Sequence, residues 1–244
     1  MKKGAATPSF RPLYEQIKIL LTQSLVAGEW KPGEVIPSEL ELAARFRVSQ
    51  GTVRKAVDEL ASENIVVRRQ GKGTYVASHS EPSYQYRFLR LTPDSGEKTH
   101  PHNIFFGLER GRAQGETARA LALKPGTPTL GFKRVMSFAG KPVIFDEIVF
   151  AASRFPGLTL AELEEFNGSV YSFYETVFGV RMIRAEERLR AVAADSVAAA
   201  HLKVIAGTPL LCVDRLAFTY GDQPVEWRRG LCLTEGFSYF NELS

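Results

Sequence analysis

Apolar residues at Leu13, Ile17, Leu20, Leu21 and Leu25 recur at helical spacing, so a first helix is predicted from Pro12, a favoured first-turn residue, to Gly28. Trp30-Lys31-Pro32-Gly33 is a turn. Ser38-Glu39-Leu40-Glu41 then has the form of a capping box, which predicts a second helix with Leu40, Ala43, Ala44 and Phe46 on its apolar face. Arg47-Val48 turns the chain. Ser49 is the predicted N-cap of a third helix that turns Val53, Val57 and Leu60 inward. The stretch 66–76 reads as strand, Gly-Lys-Gly tip, strand. A short polar run follows at 78–84, a predicted linker, and 92–102 is predicted to be a loop. Beyond it strands are predicted at 103–109, 130–138, 143–150, 182–192, 210–220 and 225–233. Helices are predicted at 116–123, 159–166, 169–178 and 195–202. Ala139-Gly140-Lys141 and Gly221-Asp222-Gln223 fit hairpin connections, so the strands they join should be antiparallel. The pattern predicts an α+β chain of two domains, 10–77 and 85–244, with the linker between them.

Two short helices, a tight turn and a strand pair form the order of a winged helix-turn-helix, which names duplex DNA as a partner. With Val53, Val57 and Leu60 inward, Gln50, Gly51, Arg54 and Lys55 face outward at the N-terminal end of the third helix. Arg54 can fork to guanine O6 and N7, and Gln50 can read an adenine or sit on a phosphate. Ser49 and Thr52 offer hydroxyls and a helix N-terminus to a phosphate, and Ser38 opens the preceding helix beside them. In the wing, Gln70, Gly71, Lys72 and Gly73 form a tip whose glycines permit positive φ and whose lysine projects toward the DNA.

Charge sharpens this picture. The 244 residues carry 31 Lys and Arg against 27 Asp and Glu, and the whole excess lies in residues 1–80, with 12 against 8; the remainder is balanced, 19 of each. Phosphate neutralisation requires basic charge on the DNA reader and not elsewhere. No apolar run approaches the ~18 residues of a membrane span. Met1-Lys2-Lys3-Gly4 is basic without a following apolar segment, so a cytoplasmic location and no membrane partner are expected. Cys212 and Cys232 lie in apolar strand-like stretches and are expected to be buried, reduced thiols. His100-Pro101-His102 lacks a nearby Cys or acidic partner and reads as a loop rather than a metal site; no cofactor is expected.

The first segment resembles the GntR family of bacterial transcription regulators over about residues 10–77. Pro37-Ser38-Glu39, then Val48-Ser49 with Thr52-Val53-Arg54, then Gly71-Lys72-Gly73-Thr74-Tyr75-Val76 carry the resemblance. It implies DNA contacts from Ser49, Thr52, Arg54 and the wing tip, and a homodimer on a two-fold operator. This chain has Gln50 where the family commonly has arginine, and Leu40 where it has a basic or polar contact residue. The remaining chain is similar to the HutC branch, whose UTRA domain is a mixed antiparallel sheet with helices related to chorismate lyase. Phe132-Lys133-Arg134-Val135, Gly140-Lys141-Pro142-Val143, Asp146-Glu147, Ser169-Val170-Tyr171 and Gln223-Pro224-Val225-Glu226 match over roughly 85–240. The resemblance implies a small-molecule effector pocket using Arg134, Glu147, Ser169 and Tyr171, with Glu226 and Arg228 as further candidates. Sugar-phosphate sensors of the branch carry a second arginine where this chain has Met136, so a carboxylate or small polar metabolite is the expected effector. The competing readings are a lyase-like enzyme joined to a DNA module and an architectural DNA-binding protein without effector.

Overall fold

The computed structural model describes residues 11–81, 87–96 and 101–242, and the chain divides after Ser78 into two compact units. In the first unit, α1 (Leu13–Val26), α2 (Glu39–Phe46) and α3 (Gln50–Ser62) precede an antiparallel hairpin of β1 (Val66–Arg69) and β2 (Gly73–Val76). Pro12 is the N-cap of α1, which buries Ile17, Leu21 and Leu25. The capping box at α2 closes in both directions between Ser38 and Glu41. α3 is capped by the Ser49 side chain and buries Val53, Ala56, Val57 and Leu60. The inward face of α2 differs from the expected one. Leu42 and Ala43 are buried, whereas Leu40 is 68% exposed and Ala44 is exposed. At about 100° per residue Leu40 lies roughly 200° around the helix from Leu42, so both cannot face the core.

The second unit contains, in chain order, β3 (Leu91–Pro93), β4 (His102–Arg112), α4 (Gly115–Ala120), β5 (Pro128–Phe138), β6 (Lys141–Ala151), α5 (Leu160–Glu165), α6 (Val170–Phe178), β7 (Arg184–Ala193), α7 (Ser196–Leu202), β8 (Pro209–Thr219), β9 (Gln223–Cys232) and β10 (Phe237–Tyr239). Six strands form one sheet in the order β4-β5-β6-β9-β8-β7, antiparallel throughout. Phe132, Ile148 and Phe150 on one face pack with Phe155, Phe173 and Tyr174 in the main core, which α5 and α6 complete. Toward one end, the other face is covered by α7, whose His201 stacks between Phe106 and Phe145 at 4.6 and 4.8 Å. Cys212 and Cys232 are both buried and free. No helix among the described residues is long and apolar enough to cross a membrane.

Two segments depart from the sequence expectation. Leu91–Pro93 is a strand, not loop, and pairs with Phe237–Tyr239 in a separate small sheet. Three residues are too few to display a period, and their partner lies at the far end of the chain. The second departure is the linker. Residues 82–84 lie outside the described residues, but His79 and Ser80 belong to the second unit, where His79 is buried. Its backbone N–H donates to both carboxylate oxygens of Glu175 at 3.0 and 3.3 Å, and its Nε2 lies 2.8 Å from the Met182 carbonyl. Ser80 and Ser172 hydroxyls are 3.0 Å apart. A polar run reads as solvated, yet here carboxylate and hydroxyl partners on α6 satisfy it inside the unit.

Candidate DNA interface and effector cavity

In the first unit a groove of about 850 Å³ runs between the start of α2 and the wing, lined among others by Glu39, Leu40, Gln50, Arg68 and Lys72. The two N-caps set its geometry. The Ser49 hydroxyl accepts from the Thr52 N–H at 3.2 Å and lies 2.9 Å from the Thr52 hydroxyl, so both oxygens sit at the free end of α3. Ser38 is exposed, but its hydroxyl is held in the cap, donating to Glu41 at 2.7 Å and accepting from the Glu41 N–H at 3.3 Å. Arg54 projects from α3 with 56% of its side chain exposed, and its Nε donates to Glu39 at 2.9 Å. The same carboxylate receives Gln50 Nε2 at 3.4 Å and Arg68 Nη2 at 3.0 Å, and Arg68 also pairs with Asp58 at 2.8 Å. Glu39 thus holds both predicted base readers in one place. Neither Glu39 nor Arg68 was among the predicted contacts. Arg68 carries a signal only in retrospect, as the outward residue of a four-residue strand.

Lys55 is exposed, but its ammonium lies over the Tyr14 ring of α1 at 3.8 Å. The wing tip uses Gly71 and Gly73 at φ 69 and 107, values that favour glycine, and Gln70 and Lys72 are exposed there. Lys72→Ala should weaken binding to every duplex alike and lower the slope of log K against log salt by about one, as expected of a phosphate contact, which carries no sequence information. Fluorescence anisotropy on two unrelated duplexes at several salt concentrations checks this; a change confined to one sequence would contradict it.

In the second unit a cavity of about 80 Å³ lies beneath β3 and β10, against the sheet face that carries Arg134, Asp146 and Arg228. Arg134, Ser169, Tyr171 and Arg228 of the predicted set line it. Glu147 does not. Neighbouring residues on a strand point to opposite faces, and Glu147 is turned away, 3.5 Å from Lys133 and 42% exposed. The carboxylate in the cavity is its neighbour Asp146. Arg134 donates to Asp146 Oδ2 through Nε and Nη2, each at 2.7 Å, and Arg228 Nη1 approaches the same oxygen at 3.4 Å. Glu226 lies below the cavity wall, wholly buried, and does not line it. It accepts from Arg228 at 3.0 and 3.1 Å and from the Tyr171 hydroxyl at 2.9 Å. Glu226 and Arg228 share one strand two residues apart, so they face the same side, and this side is the core.

Arg215, absent from the prediction, completes the ring. It pairs with Glu187 at 2.6 Å and donates to the Phe88 carbonyl, and Glu187 also accepts from the Tyr239 hydroxyl. Each of these three guanidiniums therefore has its own carboxylate, as removal of charge from water demands. Burial alone would raise Asp146, but Arg134 and Arg228 hold it below the usual carboxylate range. Gly230 faces Asp146 across the β6–β9 pair, and a Cβ there would stand 2.7 Å from Asp146 Oδ1. The glycine is what leaves the carboxylate its place.

Ser169 caps α6, accepting from the Ser172 N–H at 3.1 Å. Tyr171, the second residue of α6, packs edge-on against Phe88 at 5.3 Å and lies 5.8 Å from the His79 ring. Burial, reinforced by the Glu226 charge, pushes Tyr171 up to about 12 from 10.0. A proton held more tightly in the fold than in the open chain gives stability that is complete below about pH 10 and is lost as pH rises toward about 12. Urea unfolding at intervals through that range should show the second unit weakening; unchanged stability would contradict the assignment. Of the histidine tract, His100 lies outside the described residues, and His102 is exposed at the start of β4.

The chain matches two family models: the gntR family of bacterial regulatory proteins over residues 13–76 and the UTRA domain over residues 97–238. It is 29% identical over 238 residues to an HTH-type transcriptional repressor of Salmonella typhimurium (strain LT2), covering 96% of each chain. It is 31% identical over 185 residues to the mannosyl-D-glycerate transport/metabolism system repressor MngR of Escherichia coli (strain K12), covering 73% of this chain and 74% of that protein. Among solved structures, the ligand-binding domain of a GntR-family transcriptional regulator from Bordetella bronchiseptica is 42% identical with a TM-score of 0.64, covering 66% of this chain and 99% of that one. These matches, with a winged reader whose arginines point outward and an antiparallel sheet over a small charged cavity, place this chain in the GntR family of transcriptional regulators, in the branch with a UTRA effector domain.

Proposed function

We propose that this ligand-responsive DNA-binding regulator is a cytoplasmic repressor that binds a two-fold operator as a homodimer and is not an enzyme. In this reading Arg54 and Gln50 read bases, Ser49, Thr52 and the 70–73 tip hold phosphates, and Ser38 supports them by fixing the start of α2. The effector is a small carboxylate or polar metabolite held by Arg134, Ser169, Tyr171 and Arg228, with Asp146 in the place expected of Glu147. Glu226 acts from behind, by holding Arg228 and Tyr171. A doubly charged phosphate is disfavoured because Met136 lines the cavity and the guanidiniums already carry carboxylates.

The observation that carries the reading is the shared use of α6. Its first residues line the cavity, and Ser172 and Glu175, one turn on, hold Ser80 and His79, the residues by which the chain enters the effector unit. In this reading a ligand that draws on Ser169 or Tyr171 binds the helix that anchors His79 and Ser80, and coupling requires that it bind differently when that anchor is made and when it is released. The test is a selection of bound sequences from randomised duplexes, followed by anisotropy with candidate carboxylates. A two-fold sequence should emerge and a stabilising carboxylate should change its affinity. An enriched sequence without symmetry would remove the dimer, and carboxylates that stabilise the protein without changing DNA affinity would remove the coupling.

A further inference from the structure

The cavity holds one polar group that the ring of ion pairs does not use. Asn103, on the edge strand β4, lines the cavity, and its Oδ1 is buried with no hydrogen-bond partner. A buried amide oxygen without a partner is a costly arrangement, and at a ligand cavity it marks the place where a donor on the ligand belongs. Asn103 stands opposite Met136 on β5, two residues from Arg134 on the same face. Such diagonal neighbours lie about 7–8 Å apart between backbones, so one small molecule can touch both side chains.

Charge and size narrow the class. Arg134, Arg215 and Arg228 are matched by Asp146, Glu187 and Glu226. Arg90 also lines the cavity and has no ion pair among the described residues, which leaves an excess of one positive charge. The volume of about 80 Å³ is about half of the roughly 150 Å³ that admits benzene, so only a short ligand fits. Leu91, Ile144 and Val213 supply apolar wall for a short carbon body. We propose that the effector is a short hydroxycarboxylate, its carboxylate toward the Arg134 side and its hydroxyl donating to Asn103, and that Asn103 is the residue that sets this preference. The proposal rests on the reading of the cavity as a carboxylate site.

Isothermal titration calorimetry of the full chain with butyrate, 2-hydroxybutyrate, 3-hydroxybutyrate and inorganic phosphate tests it. One of the two hydroxy acids should bind about tenfold more tightly than butyrate, the worth of one well-made hydrogen bond. Asn103→Leu should erase that margin while still binding butyrate. Asn103→Asp, which keeps shape and acceptor but adds a charge, should weaken all the carboxylates and guards against a folding defect in the leucine variant. Equal binding of butyrate and both hydroxy acids to the wild-type protein, or a margin that survives Asn103→Leu, would overturn the role of Asn103 and leave the carboxylate site standing. Binding of phosphate but of none of the carboxylates would overturn the carboxylate reading itself, and binding of none of the four probes would overturn the short hydroxycarboxylate class.

Discussion

Asp146→Ala should destabilise the second unit by about 3–5 kcal/mol, the largest single effect expected in this protein. The carboxylate is 4% exposed and lies between two guanidiniums, each 6% exposed. Its removal leaves Arg134 without an ion-pair partner among the described residues and strips Arg228 of one of its two carboxylate neighbours. A buried guanidinium without compensation has no inexpensive alternative, since it holds its proton across the accessible pH range. Glu147→Ala is the matched control. It is the adjacent residue and the carboxylate that sequence similarity favours, but it faces Lys133 at the surface, and an exposed pair contributes about 0–1 kcal/mol. The two tryptophans separate the readout, since Trp30 lies in the first unit and Trp227 in the second. Urea unfolding followed by Trp227 emission in a Trp30→Phe background should show the Asp146 variant far below the Glu147 variant. Equal losses would refute the assignment of Asp146 as the buried partner.

Arg54→Ala should weaken DNA binding by about 1–3 kcal/mol and, on the two-fold operator proposed above, relax the preference at one position in each half-site. The guanidinium stands at the exposed end of α3, held at 2.9 Å by Glu39 rather than loose in solvent. That contact orders the side chain before DNA arrives, so less rotamer freedom is lost on binding. Lysine at this position should not restore the preference, because an ammonium lacks the planar fork that matches guanine O6 and N7. A randomised-duplex selection with the wild type and both variants is the measurement. Identical specificity profiles for the wild type and Arg54→Ala would exclude Arg54 as a base reader.

The outcome at Glu147 and at Leu40 illustrates where a linear pattern stops. At both positions the residue type was correct for the region but the direction was not. The Asp146-Glu147 pair offers two carboxylates on one strand, and alternation guarantees that only one can enter the cavity. Which one is decided by register, and the pairing of Asp146 with Arg134 on one side and Gly230 on the other settles it. Leu40 belongs to a plausible apolar stripe with Ala43 and Ala44, but the core beneath α2 takes Leu42. Arg215, Glu187 and Asn103 carried no local signal. They are isolated residues on three strands, and only the folded sheet brings Arg215 and Asn103 to one cavity and Glu187 to Arg215.

Local physics was legible from the chain alone: the capping box at Ser38, the N-cap at Ser49, the glycine tip of the wing, the strand periods and the confinement of excess basic charge to residues 1–80 all act over a few residues or simply by count. These determined the winged reader, the α+β class and the partner. The tertiary structure decided which side of each element faces inward, which charges are neutralised in pairs, and that His79 and Ser80 are anchored rather than free. The physical reason is common to all three: burial and charge compensation are settled by neighbours distant in sequence, and a residue's type states what it needs without stating who supplies it.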